Sequence, residues 1–272
     1  MDIIKKFNKK VIVFILLVFV LTSFSYYKII STGTLEGNEQ YVFIAMWMPA
    51  ISAFITKIIF DRNLKGLGWK IGKLKYQGIS YAIPLFSGLV VYSIAWISGI
   101  GGLDLTTIGI NNVPTGITKF LLFATLGVMG SAISAVGEEI GWRGFLVPEL
   151  LKKYSYTKTS IIVAVIWNLY HYPFLLFSDY NNGVSIGLSL VAFTISIFAV
   201  CFITTWLRIK SGSLWTGVII HASHNLFIQA VFDPITIDKG YTKMFTTEFG
   251  IGLAIVYAII AFYFWKRRGL VC

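Results

Sequence analysis

Charge is scarce in this sequence, and negative charge scarcest: 13% of the 272 residues are charged, with 12 Asp or Glu against 23 Lys or Arg. Soluble domains carry roughly 25% charged side chains, so a water-facing surface of ordinary makeup is excluded. Cysteine is nearly absent. Cys201 sits inside an apolar run and Cys272 at the end of the chain, which excludes both a disulfide framework and a CxxC metal pair. The final Gly-Leu-Val-Cys also lacks the residues that follow the cysteine of a prenylation box. There is no internal repeat, low-complexity tract or Pro-rich linker to mark a boundary, so the chain is read as a single domain, 1–272. With only three histidines, imidazole chemistry is confined to His171, His221 and His224.

What fills the chain instead is apolar surface, at 56% of residues. A membrane-spanning helix needs about 20 mostly apolar residues. Windows of that kind fall near 11–30, 41–60, 78–100, 117–138, 159–178, 184–206, 214–232 and 248–265. The expected fold is all-α, a polytopic membrane bundle of about eight transmembrane helices. Val11–Thr22 has the makeup of a signal-peptide core, but aromatics follow it where a small-x-small cleavage site would stand, so a retained first span is expected. The net charge of +11 does not point to nucleic acid, because the basic residues lie between apolar runs and not along one face. All but four of the 23 Lys and Arg fall in segments that alternate to one side, starting from Lys5, Lys6, Lys9 and Lys10; the exceptions are Lys28, Lys119, Lys239 and Lys243. The positive-inside rule then places both termini in the cytoplasm. The expected setting is a cell membrane, most simply a bacterial cytoplasmic membrane, with the lipid bilayer as principal partner. The longest polar stretch, Asp61–Gln77, reads as a basic connection lying against anionic headgroups or as an ordinary cytoplasmic loop.

Ionisable groups within spans are costly and commonly functional, and here they cluster. Glu138, Glu139 and Arg143 come at the cytoplasmic end of the fourth window, His171 in the fifth, and His221 and His224 with Asn225 in the seventh. If the fourth helix continues to about Pro148, Glu139 and Arg143 lie one turn apart and can pair. Glu138 is then turned about 100° away, free to take a proton from water as a general base. A helix-end salt-bridge cluster is the plainer alternative. His171 follows Trp167 by one turn; a lone histidine there also fits a helix–helix hydrogen bond. His221 and Asn225 are spaced i, i+4 and can both donate to one developing negative oxygen. His224 points elsewhere on an α-helix and is set apart as a packing residue. At ~1.5 Å per residue, Glu138, His171 and His221 each lie roughly 10–15 Å inward from the cytoplasmic helix ends, as one shared cavity requires.

Taken together, Glu138-Glu139-x-x-x-Arg143, Trp167-x-x-x-His171 and His221-x-x-x-Asn225 resemble the three motifs of the CPBP family of intramembrane proteases, also known as CAAX proteases and bacteriocin-processing enzymes. The resemblance covers about residues 131–226, the expected catalytic core. The second motif more often begins with Phe; Trp167 is expected to alter packing and leave the chemistry intact. The resemblance implies an endopeptidase in which Glu138 and His171 activate a water while His221 and Asn225 hold the oxyanion, with Glu139, Arg143 and Trp167 as orienting residues. Family members have been described as glutamate-dependent and as metalloproteases. No His-Glu-x-x-His helix exists, so no metal is assigned; if zinc is used, Glu138, His171 and His221 would hold it. The expected substrate is a hydrophobic, lipidated or membrane-anchored peptide, reached through a cavity opening toward the cytoplasm and inner leaflet, with no nucleic-acid partner. The alternatives are a non-catalytic peptide-binding or self-immunity protein of the same fold, and a transporter using the buried charges as a proton relay. The transporter would call for an inverted repeat that the sequence lacks.

Overall fold

The computed structural model describes residues 9–107 and 122–271. Lys5, Lys6, Lys119, Cys272 and the first part of the fourth window lie outside them. As far as they fall within the described residues, the eight apolar windows coincide largely with helical chain. Among the described residues, the helices α1 (Lys9–Thr32), α2 (Glu39–Asp61), α3 (Leu74–Ile97), α6 (Tyr156–Phe177) and α7 (Ile186–Ser211) are the five long and apolar enough to cross a membrane. A shorter apolar helix, α10 (Ile251–Lys266), closes the bundle. The molecule is a polytopic helical membrane protein.

The remaining two windows fold as composite rods. One runs through a π-helical stretch (Phe123–Gly127), α4 (Val128–Glu139), a second π stretch (Ile140–Leu146) and α5 (Val147–Leu151). The other is α8 (Trp215–His224) followed by a π stretch (Asn225–Phe232). Both change from α to π at the chemistry-bearing residues, one just after Glu139 and the other at Asn225. Wide i→i+5 turns of this kind gather at functional sites.

The rods alternate in direction, so the bundle has two unlike ends. At the basic end Lys10 donates to Glu149 at 2.8 Å and also pairs with Asp61, fastening α1 to α2 and α5. The connection 62–73 does more there than lie against headgroups. Leu67 is buried in the core beside Trp142 and Leu146, and Leu214 N–H donates to the Gly68 carbonyl at 2.9 Å. At the other end α9 (Thr242–Phe245) precedes α10, and an all-α reading misses a small antiparallel ribbon, β1 (Gly101–Leu103) against β2 (Thr236–Asp238), with Gly102 opposite Ile237. Facing outward along the rods are large apolar side chains such as Leu16, Phe86, Ile133, Val191 and Ile259, all exposed. That is the pattern of a surface solvated by lipid, not water.

Candidate active site

Two glycines set the position of the acidic motif. A β-carbon at Gly137 would stand 2.5 Å from the Met46 carbonyl oxygen, and one at Gly141 2.4 Å from Pro49 Cβ. Only glycine lets α4 approach α2 this closely, and the approach carries Glu138 and Glu139 into the bundle. A third, Gly217 on α8, leaves room for Glu139, whose Oε2 a methyl group there would meet at 2.3 Å. The rod continues to Leu151 because residues 140–147 are wholly buried, so the motif sits inside the bundle and not at a cytoplasmic helix end. Helix-end headgroup pairing is thereby overturned.

Glu139 accepts from Arg143 Nη1 at 2.8 Å and from His221 Nδ1 at 3.1 Å. Arg143 is fully buried and its Nε donates to Thr204 Oγ1 at 3.0 Å. The pair thus ties α4 to α7 and α8. Glu138 has different neighbours. Its Oε2 accepts the indole N–H of Trp142 at 3.0 Å and of Trp167 at 2.7 Å, while its Oε1 receives no donor among the described residues. One carboxylate oxygen is anchored and the other is left for a small molecule.

Trp167 is the hub. Its indole lies 5.8 Å from the rings of both His171 and His221, and the Arg143 guanidinium stacks on it at 4.2 Å. The expectation that Trp for Phe changes only packing is corrected, since phenylalanine has no N–H to give Glu138. His171 Nδ1 bonds the Trp167 carbonyl at 2.9 Å. A carbonyl only accepts, so Nδ1 carries the proton and Nε2 is the free acceptor. Asn225 makes no side-chain hydrogen bond among the described residues.

Glu138, His171, His221 and Asn225 line one cavity of about 260 Å³. The same cavity takes in His224, which sequence spacing had set apart. His224 Nδ1 bonds the Tyr257 hydroxyl at 2.9 Å and its Nε2 lies 3.6 Å from Glu248. Glu248 in turn accepts from Gln229 Nε2 at 2.9 Å. Sequence reasoning missed Glu248, Tyr257 and Tyr180 as lining residues; the signal for Glu248 was its place as the first residue of the last apolar window. The lining runs from Glu138 and Ile220 to Leu35, Tyr180, Gln229 and Glu248, at the end of the bundle away from the basic connections.

Among the described residues no group of three or more His, Cys, Asp or Glu side chains gathers closely enough to hold a metal ion.

These features define a polytopic helical membrane protein with a glutamate, two histidines and an amide facing one buried cavity. Residues 119–227, which hold all of that polar set, match the family described as type II CAAX prenyl endopeptidase, Rce1-like. Over 101 residues it is 32% identical to the CAAX prenyl protease 2 of Methanococcus maripaludis, an alignment covering 35% of this chain and 36% of that relative. The chain spans about a third of the length of the curated relative it matches. Leu35, Glu248 and Tyr257, which also line the cavity, lie outside the matched segment.

Proposed function

We propose that the protein is an intramembrane endopeptidase that hydrolyses a peptide bond of a hydrophobic, lipidated or membrane-anchored peptide by a water that Glu138 and His171 activate. The observation that carries this reading is the unequal treatment of the two Glu138 oxygens, one fixed by two indoles and one open to the cavity. A water bound between Oε1 and His171 Nε2 would lose a proton to Glu138 as its oxygen attacks the carbonyl carbon. The carbonyl oxygen becomes an alkoxide, met by the unbonded Asn225 amide and by His221. To donate from Nε2 while Nδ1–H serves Glu139, His221 must carry a second proton, whose charge the Glu139 carboxylate balances. The proton held by Glu138 then passes to the departing amine as the C–N bond breaks. Water and peptide give acid and amine, with no other reactant consumed. Because the matched family carries the CAAX prenyl endopeptidase description, a lipidated tail is among the substrates to be tried.

The same proposal includes eight spans with both termini in the cytoplasm, since the two composite rods occupy apolar windows of the sequence and the basic connections share one end. The test of the chemistry is Glu138→Gln, which keeps the shape and removes the base. In full-length protein in proteoliposomes, with quenched-fluorescence peptides as probes, turnover is expected to fall by about 10²–10⁴-fold. Turnover at the wild-type rate would rule out Glu138 as the base.

A further inference from the structure

A second hollow lies away from the Glu138 cavity, on the face of the bundle that meets lipid. It is a groove of about 490 Å³ between α3 and α10. Ile79, Ile83 and Phe86 of α3 form one wall, and Ile259 and Tyr263 of α10 the other. Its floor is Trp206 of α7 set edge-on to Phe264, with ring centroids 5.0 Å apart and both residues buried. Toward the ribbon end the walls meet, where a β-carbon on Gly252 would stand 3.0 Å from Val91 Cγ1. Because α3 starts and α10 ends at the basic end, the groove runs from Arg267 inward to Ile259 and Phe86, a depth of roughly 12 Å for eight helical residues.

The charge at its rim is of one sign. Among the described lining residues Arg267 alone is charged. Its guanidinium stacks on Tyr263 at 4.3 Å, and its carbonyl accepts the Trp206 indole N–H at 3.3 Å, so ring and backbone hold it at the mouth. The Arg267 side chain makes no hydrogen bond or ion pair among the described residues. A guanidinium carries five N–H donors in a planar fork, and all of them are left for a ligand. Two more cations stand close by. Lys210 Nζ lies 5.9 Å over the Trp206 ring, and Lys75 Nζ 5.0 Å over Tyr76, whose ring packs on Trp206 at 6.3 Å. No carboxylate balances them among the described residues, since Asp61 and Glu149 at this end pair with Lys10, Lys57 and Lys152.

We infer that this groove is a binding site for an anionic phospholipid, with one acyl chain along Ile83 and Ile259 and the phosphate against Arg267. Lipid tails are as apolar as the groove walls, so filling the groove gains little over bulk lipid, and the headgroup has to supply the selectivity. The arginine fork matches phosphate oxygens two at a time, and basic pockets between spanning helices take lipid headgroups by this chemistry. Lys75 and Lys210 favour a headgroup of net negative charge and repel the cationic arm of a zwitterionic one. The site depends neither on the catalytic reading nor on which face of the membrane the basic end meets. It bears on the cavity through shared helices, because α7 and α10 also carry Ser196 and Tyr257 of the cavity wall. A lipid seated between α3 and α10 braces that wall from behind.

Native mass spectrometry of the full-length protein in a neutral detergent tests the site, with phosphatidylglycerol and phosphatidylcholine of the same acyl chains as probes. One phosphatidylglycerol per chain is expected to stay bound, with an affinity about tenfold or more above that of phosphatidylcholine, as each basic residue near a headgroup contributes about a fivefold factor. Arg267→Gln is expected to remove most of that preference. Ile259→Trp, which fills the groove and leaves the charges in place, is expected to weaken binding of both lipids. Both residues are exposed, so the fold should persist in either variant. Lys65→Gln, in the connection after α2 and outside the groove, is the control and should leave binding unchanged. Equal affinity for the two lipids, or undiminished binding in Ile259→Trp, overturns the inference. So does an equal loss in Lys65→Gln and Arg267→Gln, the mark of diffuse attraction to the basic end, and so does displacement of the lipid by excess inorganic phosphate, the mark of a site for the free anion.

Discussion

At the scale of single residues, the site depends on which atoms a side chain can offer, and Trp167 shows it most directly. Its ring supports the Arg143 guanidinium, and its N–H holds one oxygen of Glu138. Trp167→Phe keeps much of the ring and removes the donor, so Glu138 is left with Trp142 alone and is freer to turn. A hydrogen bond to a charged group is worth ~1.5–3 kcal/mol, and a tenfold rate change corresponds to ~1.4 kcal/mol. The expected result is a fall in kcat/KM of about tenfold or more with the fold intact by circular dichroism; an unchanged kcat/KM would mean the indole N–H does not position the base. The polar set itself was legible in the sequence because Glu138, Glu139, Arg143, His171 and His221 interrupt apolar windows, where such groups are costly. His224 was misplaced for a geometric reason: the angle separating it from Asn225 was taken from an α-helix, and the chain widens to a π turn at Asn225. Glu248 was passed over because it is the first residue of the eighth window, where a carboxylate reads as the edge of a span and not as an intruder within it.

At the scale of elements, helix existence was readable from hydropathy and helix character was not. The charges of Glu138, Glu139 and Arg143 end the fourth window at Glu138, yet Trp142, Phe145 and Leu146 bury against Phe14 and Leu67 and the rod continues to Leu151. The π turns are equally hidden, since periodicity over seven or eight residues does not separate 3.6 from a wider repeat. What the sequence does carry is the glycine spacing that seats α4 on α2. Gly141→Ala would force a methyl group to within 2.4 Å of Pro49 Cβ, and overpacking of this kind costs ~1–3 kcal/mol. The midpoint of thermal unfolding in detergent is expected to drop and activity with it, because the motif moves when the helices part. Gly130→Ala, on the same helix with nothing within 4 Å, is the control and should be neutral or slightly stabilising, as alanine is the better helix former by ~1 kcal/mol. Equal behaviour of the two variants would show that close approach of α4 to α2 is not what holds the site.

At the scale of the whole molecule, the two ends are held by different chemistry, and this predicts how stability varies with pH. The basic end relies on ion pairs among Lys10, Asp61, Glu149 and Lys57. The opposite end relies on Asp233, just beyond the π stretch, which accepts from the Tyr92 hydroxyl and, at 3.4 Å, from Asn182 Nδ2, while the Tyr92 oxygen accepts the Thr247 N–H at 3.0 Å. One carboxyl thereby joins α3, the α6–α7 turn and the approach to α10. Burial pushes the Asp233 carboxyl up from 3.8 to about 7; the like charge of Glu248 adds to this, and the Tyr92 hydrogen bond opposes it. In the unfolded chain the group ionises near its ordinary value of ~3.9, so between about pH 4 and pH 7 the folded state holds a proton that the unfolded state has lost. Stability from this group is complete below pH 4, declines as the pH rises through that window, and levels off above it. Asp233→Asn, which cannot ionise and keeps an amide oxygen for Tyr92, should remove this slope, so thermal midpoints of variant and wild type draw together at low pH and separate in the variant's favour toward neutrality. Parallel curves across the whole window would show that Asp233 titrates alike in both states, and the outer clasp would then owe its strength to its hydrogen bonds alone.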